Sequence, residues 1–187
     1  MRRALHRPCR RRSLTSLGPL HAHYNMPIAS VISETEKLRD AFAGMVGGLL
    51  LNFGALEFIS YRWAEILSTD KVVRDLAIDM PLAKRIGLIK RLIERSGWRE
   101  DQKKEAESLW SEVLELAKAR NTLAHNPLLT KPEPDGTVTF GVINAKEMKG
   151  TGPYSIAPVL PRDVHSAGCR AGTLIERLES FIKNQST

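Results

Sequence analysis

The sequence has few cysteines and no long apolar run. Two cysteines among 187 residues, Cys9 and Cys169, cannot build a disulfide framework or a cysteine metal site. The longest apolar stretch, Met45–Leu51, is short and interrupted by glycine, so it predicts no membrane span. No glycine-rich loop is followed by Lys and Ser or Thr, which excludes a P-loop. These absences predict a cytoplasmic protein, with no metal or cofactor expected.

Acidic residues are absent from the first 33 positions, which contain six arginines and no lysine. The net charge of +7 at pH 7 comes almost wholly from this segment, because the residues from Glu34 onward carry 22 basic and 21 acidic side chains. The rest of the chain is therefore nearly neutral. Its charge gives no argument for strong non-specific binding of nucleic acid.

Residues 1–30 are predicted to form a basic, disordered N-terminal tail. The arginines, the serines and the lack of acids are typical of a transit segment, and also of a basic arm that contacts nucleic acid. A third interpretation, which we favour, places the true start of the protein at Met26, shortly before the first helix signal. Residues 31–187 are the predicted folded domain.

Helical periodicity dominates this domain, and it predicts helices over residues 33–68, 70–78, 79–96, 100–123 and from 163 onward. Ser33 and Glu36 match a capping box at the start of the first helix. The glycines between Gly44 and Gly54 predict a bend in that helix or a close contact with another. Asp79, two residues before a proline, is the predicted N-cap of the third helix.

The chain between the last two helices is β-prone. Leu128–Thr130 and Thr137–Ile143 are predicted strands, joined by a Pro-Asp-Gly turn at 134–136. The predicted fold class is all-α, an up-down helical bundle of four or five helices with a small β-hairpin insert before the last helix.

The segment RNTLAHNP, Arg120 to Pro127, is predicted to end the fourth helix, because proline disfavours helix for the residue before it. On an ideal helix, five positions turn a side chain by about 500°, which puts Arg120 and His125 about 140° apart. The two side chains share a cleft only if the last turn distorts or the histidine lies beyond the helix end.

This segment resembles the R-N-x-x-x-H motif of HEPN-type ribonucleases, which are also helical bundles with a terminal helix after the motif. The resemblance implies a metal-independent endoribonuclease, a homodimer whose two motifs form one composite cleft, with Arg120, Asn121 and His125 as catalytic residues. A neutral imidazole can take the proton of a ribose 2′-hydroxyl, which attacks the adjacent phosphate, while a guanidinium stabilises the added negative charge. The substrate would be RNA. The resemblance also implies a toxin or defence role, with a nucleotidyltransferase-type antitoxin as a partner.

Two other interpretations stay open. A HEPN-like module can bind a nucleotide or a partner protein without catalysis. Alternatively, the segment is only a helix end of a structural all-α protein: Arg120 pairs with an acid such as Glu115, Asn121 caps the helix, and His125 fills a cationic C-terminal position.

Charged residues outside the motif are expected to have structural roles. Glu57, which lies among apolar neighbours, is expected to pair with Arg120 or Arg62. A basic group on the third helix is spaced like a solvated face, with RNA contact as the alternative; it comprises Lys84, Arg85, Lys90 and Arg91. Residues that bind RNA beyond the motif are not predicted by the sequence.

Overall fold

The computed structural model describes residues 28–135, 137–143 and 155–185, with side chains described from residue 34 onward. It is an all-α bundle with a small antiparallel sheet before the last helix, which confirms the predicted fold class. The described helices are α1 (Ile28–Leu67), α2 (Lys71–Asp79), α3 (Leu82–Arg95), α4 (Glu100–His125) and α5 (Pro161–Gln185). The predicted tail lies outside the described residues except for 28–30, which belong to α1.

The helix α1 is continuous over 40 residues. The capping box predicted at Ser33 is wrong, because the helix begins five residues earlier, at Ile28. The bend predicted at the glycines stays a prediction, but the helix runs through them without a break, since packing of the opposite face against the bundle outweighs their low helix propensity. The close helix contact occurs instead at Gly168 of α5, where an added Cβ would lie 3.8 Å from the backbone of Leu49.

The junction between α2 and α3 is partly as predicted. The carboxylate of Asp70 accepts a hydrogen bond of 2.8 Å from the N–H of Val72 and caps α2. Asp79 is the last residue of α2 and does not cap α3. The N-cap of α3 is Pro81, whose carbonyl accepts the first amides of that helix, because proline fits where an N–H is not needed.

Four helices close the bundle around one core. The helix α1 packs against α3 and α5, and α4 packs against the same two helices from the other side. At one end of the core, the ring of Trp63 lies 5.3 Å from that of Trp110 and 5.5 Å from that of Phe181. Fully buried aromatic rings bring the largest apolar area per residue, so this cluster fixes the meeting point of α1, α4 and α5.

The insert is a three-stranded sheet in the order β1 (Leu128–Pro132), β2 (Val138–Ile143), β3 (Ile156–Val159). The β1–β2 hairpin confirms the prediction, whereas β3 was not predicted. Gly136 of the predicted turn lies outside the described residues. The hydroxyl and N–H of Thr137 both donate to the Asp135 carboxylate, which holds the pKa of that carboxyl below its usual range.

The sheet docks on the bundle through β2. The ring of Phe140 stacks on that of Phe42 in α1, with centroids 4.1 Å apart. The strand β1 follows the end of α4 after two residues, so this docking also fixes where α4 ends.

Arg85 of α3 is buried, with 3% of its surface exposed, so the prediction that it belongs to a solvated face is wrong. Its guanidinium donates to three backbone carbonyls and two hydroxyls: Ala77 O at 2.8 Å, Met80 O at 2.6 Å, Glu57 O at 3.4 Å, Ser60 Oγ at 2.7 Å and the Tyr61 hydroxyl at 2.8 Å. The same guanidinium lies 3.5 Å from the centroid of the Tyr61 ring. Neutral acceptors thus satisfy this buried charge and join α1, α2 and α3.

By length and composition, the segment Glu34–Leu67 of α1 is long and apolar enough to cross a membrane. About a third of its most apolar 18 residues are buried inside the bundle, and the core helix of a soluble protein can have the same length and composition. The expected absence of a membrane span therefore stays a prediction.

Replacing Arg85 by alanine should lower the free energy of unfolding by about 3 kcal/mol, because buried carbonyls and hydroxyls lose their donor. Urea unfolding measures this change. Lys84→Ala, on the exposed side of the same turn, is the control and should change stability by less than about 0.5 kcal/mol. Equal effects of the two substitutions would contradict the role of Arg85.

Candidate active site

The RNTLAHNP segment ends α4 as predicted. His125 is the last helical residue, and Asn126 has extended backbone angles (φ −119°, ψ 144°) before Pro127. The side-chain amide of Asn126 donates to the carbonyl of Thr122 at 2.8 Å. Asn126 rather than Asn121 therefore binds a free carbonyl at the helix end, which corrects the expectation that Asn121 caps the helix.

Arg120 is held from three sides. Its Nη2 lies 3.6 Å from Oε1 of Glu57, and its Nη1 donates to Oδ1 of Asn121 at 3.0 Å. Its guanidinium carbon lies 5.4 Å from the centroid of the Phe53 ring. The expected Glu57–Arg120 pair is confirmed. The helix-end interpretation, in which Arg120 pairs with an acid, also fits this contact; the acid is Glu57 and not Glu115, whose carboxylate binds Lys118 at 2.8 Å.

The support for Arg120 comes from α1. Phe53 and Glu57 are four residues apart and so lie on one face of that helix. The Phe53 ring is 1% exposed and belongs to the core, whereas 36% of the Glu57 side chain reaches solvent. The arginine, with 28% of its side chain exposed, therefore lies at the edge of the core.

His125 is exposed at the end of α4. Among the residues that the structure describes, its imidazole makes no hydrogen bond and no ion pair. Because α4 stays helical to this residue, Arg120 and His125 point about 140° apart around its axis. Within one copy, the fold brings Arg120 and Asn121 together and leaves His125 apart from them.

The surroundings of the motif are open. A cavity of about 560 Å³ lies elsewhere, between the start of α4 and the end of α5, and its lining includes Gln102 and Arg177. At 1.5 Å per residue, Gln102 is about 27 Å along α4 from Arg120. Within the described ranges, no group of three or more His, Cys, Asp or Glu side chains could hold a metal ion.

Two contacts of the motif were not predicted. The spacing of Phe53 and Glu57 on one helix face could have indicated the ring beneath Arg120. Asn126, placed between the last helical residue and a proline, matches the composition of a helix end. Neither pattern identifies the residue that is contacted. Phe53 and Glu57 lie on a different helix from Arg120, and Thr122 lies one turn before Asn126.

Comparisons of the chain with family models, with curated proteins and with solved structures gave no match. The resemblance to HEPN ribonucleases therefore depends on Arg120, Asn121 and His125 and on the bundle around them.

The Glu57–Arg120 pair should contribute little to stability, because both groups reach solvent and the charged atoms are 3.6 Å apart. A double-mutant cycle with Glu57→Gln and Arg120→Met, measured by urea unfolding, should give a coupling energy below about 1 kcal/mol. The exposed Glu115–Lys118 pair of the same helix is the reference. A coupling energy above about 2 kcal/mol would indicate that Arg120 mainly stabilises the fold, and it would support the helix-end interpretation.

Proposed function

We propose that the protein is a metal-independent endoribonuclease of HEPN type, cytoplasmic and acting in a toxin or defence system. The observation that carries this proposal is the position of Arg120, which is held near Phe53 by Glu57 and Asn121 while 28% of its side chain reaches solvent. An arginine oriented in this way can donate two parallel hydrogen bonds to a phosphate.

A homodimer follows from the chemistry. Arg120 and His125 lie about 140° apart around α4, which disfavours the approach of both groups of one copy to a single phosphate. Two copies with their motifs facing each other would supply two arginines and two imidazoles to one cleft. The exposed position of His125 and its lack of described partners leave it open to such a contact.

In the proposed reaction, one imidazole removes the proton of the ribose 2′-hydroxyl, and that oxygen attacks the adjacent phosphorus. The bond from phosphorus to the 5′-oxygen of the next nucleotide breaks. The leaving oxygen takes a proton from the second imidazole of the cleft. The products are a 2′,3′-cyclic phosphate and a free 5′-hydroxyl. Arg120 stabilises the negative charge of the five-coordinate phosphorus, and Asn121 positions Arg120 or the phosphate.

Glu57 favours a second candidate function. Its carboxylate occupies one side of Arg120 and competes with a phosphate for the same donors. A HEPN-like module that binds a partner protein without cleaving RNA needs no release of Arg120 from Glu57, whereas one that binds a nucleotide phosphate through Arg120 needs it as much as the ribonuclease does. The two functions differ in turnover, and both require the two motifs to lie close together.

RNA cleavage tests the first proposal. The purified protein should cleave a mixed-sequence RNA in EDTA, and the products should carry cyclic phosphates. Arg120→Ala and His125→Ala should each lower the rate at least about 100-fold, the usual effect of removing a group that transfers a proton or stabilises charge. His165→Ala, an exposed histidine on α5, is the matched control and should keep the wild-type rate.

Activity that disappears in EDTA, that survives both motif substitutions or that also cleaves DNA would contradict this mechanism. Tight nucleotide binding without turnover would support the second candidate. The proposed antitoxin partner can be tested separately, by looking for a gene for a nucleotidyltransferase beside this one.

A further inference from the structure

One face of α1 points away from the bundle. Leu51 is 78% exposed and Phe58 is 61% exposed on this face. At 100° per residue, the positions within about 60° of Leu51 around the helix form a stripe. Among the residues whose side chains are described, this α1 stripe consists of Glu36, Lys37, Asp40, Gly44, Gly47, Gly48, Leu51, Gly54, Ala55, Phe58, Arg62, Glu65 and Ile66.

The bundle itself gives no packing reason for the four glycines of the stripe. An added Cβ at Gly44, Gly47, Gly48 or Gly54 would meet no described atom within 4 Å. Glycine in a helix is nonetheless unfavourable relative to alanine. Glycines on an exposed helix face allow another backbone to approach closely, as in glycine-rich helix pairs.

The stripe is complementary to itself when two copies of α1 run antiparallel with Leu51 on the twofold axis. Any two positions whose numbers add to twice 51 then face each other. Phe58 of one copy faces Gly44 of the other, so the exposed ring enters the space that this glycine leaves. Gly48 faces Gly54 in the same register.

In the same register, four of the five charges of the stripe face an opposite charge, and the fifth, Glu36 at the edge of the stripe, faces Ile66. Arg62 of one copy faces Asp40 of the other. Glu65 faces Lys37 in the next turn outward. A parallel pair would instead bring each of these charges against its own copy, and like charges repel.

The partners that these charges have within one copy do not oppose this pairing. Lys37 binds Glu34 and Asp40 binds Arg39, both in exposed pairs on the same helix. Exposed pairs of this kind contribute little, so exchanging them for partners on another copy loses little.

We infer that the α1 stripe binds a second copy of this chain, antiparallel and in the Leu51 register. The interface is isologous, because each copy offers the same surface. On α1, Glu57 lies about 120° around the axis from Leu51, so this interface is separate from the motif. The inference does not depend on the proposed ribonuclease activity. A protein that uses both interfaces would assemble beyond a dimer.

A cysteine on the twofold axis tests the register. Leu51→Cys, in the full chain with Cys9→Ser and Cys169→Ser, should form a disulfide with its own copy on mild oxidation, because this position faces itself at close range. Leu76→Cys on α2, which is 53% exposed and outside the stripe, is the control and should stay uncross-linked at the same concentration.

Substitutions that preserve the fold test the contacts in analytical ultracentrifugation. Within one copy, the leucine of Gly44→Leu meets open space. In the proposed dimer it occupies the space that the Phe58 ring of the other copy enters, so it should raise the dissociation constant of the dimer at least tenfold. Arg62→Asp and Asp40→Arg should each weaken the pair about fivefold or more. The double charge swap should restore it to within about twofold of the wild type.

Cross-linking no greater than in the Leu76 control, or a double swap weaker than both single swaps, would overturn the inference. Binding of the uncross-linked wild-type protein to neutral phosphatidylcholine vesicles, lost in Gly44→Leu, would overturn it in favour of a membrane contact. RNA cleavage is read separately in these variants, so a failure of this interface and a failure of the proposed function are distinguishable.

Discussion

The buried guanidinium of Arg85 is the constraint on which the rest of the structure depends. A charge removed from water is stable only if its donors find acceptors, and a guanidinium has five of them in a fixed plane. Here the acceptors come from α1, from the end of α2 and from the junction before α3. None of the described acceptors is a carboxylate, so each carbonyl or hydroxyl must lie within hydrogen-bond distance of an N–H group of the guanidinium. Three helices are therefore fixed relative to one another by a single side chain.

This constraint extends to the motif through one residue. The backbone carbonyl of Glu57 accepts from Arg85, and its carboxylate, on the same residue, lies beside Arg120. The position of the motif arginine is thus set largely by α1, and only its neighbour Asn121 comes from its own helix. His125 has no comparable support, because α4 ends there and the chain turns into β1. One group of the motif is held by the core and the other is left to a partner or to solvent.

The sequence predicts well what local patterns encode. Apolar periodicity predicted the helices, and the β-prone run predicted the hairpin. The predictions from sequence are wrong where contacts between residues distant in the chain determine the structure. Ser33 and Glu36 match a capping box, yet the helix continues through them because a local match does not determine where a helix begins. Arg85 belongs to a basic group that is spaced like a solvated face, and only the acceptors on α1 and α2 make its burial favourable. Arg120 and His125 were expected to share a cleft within one copy only if the last turn distorted or the histidine lay beyond the helix end, and α4 stays helical through His125.

The helix α1 carries apolar residues on two faces, and the inferred interface explains both: one face packs against the bundle and the other binds a second copy. A helix that is apolar on one face only is expected at the surface of a bundle, and one that is apolar all round is expected to be buried. In one copy, α1 buries Leu49, Phe53 and Leu56 against the bundle but leaves Leu51 and Phe58 in solvent. Because both faces carry apolar residues, the helix is also long and apolar enough to cross a membrane. Charges of alternating sign at Lys37, Asp40, Arg62 and Glu65 fit a protein surface better than lipid, because each would need a partner away from water. A second copy provides both the apolar cover and those partners in one register.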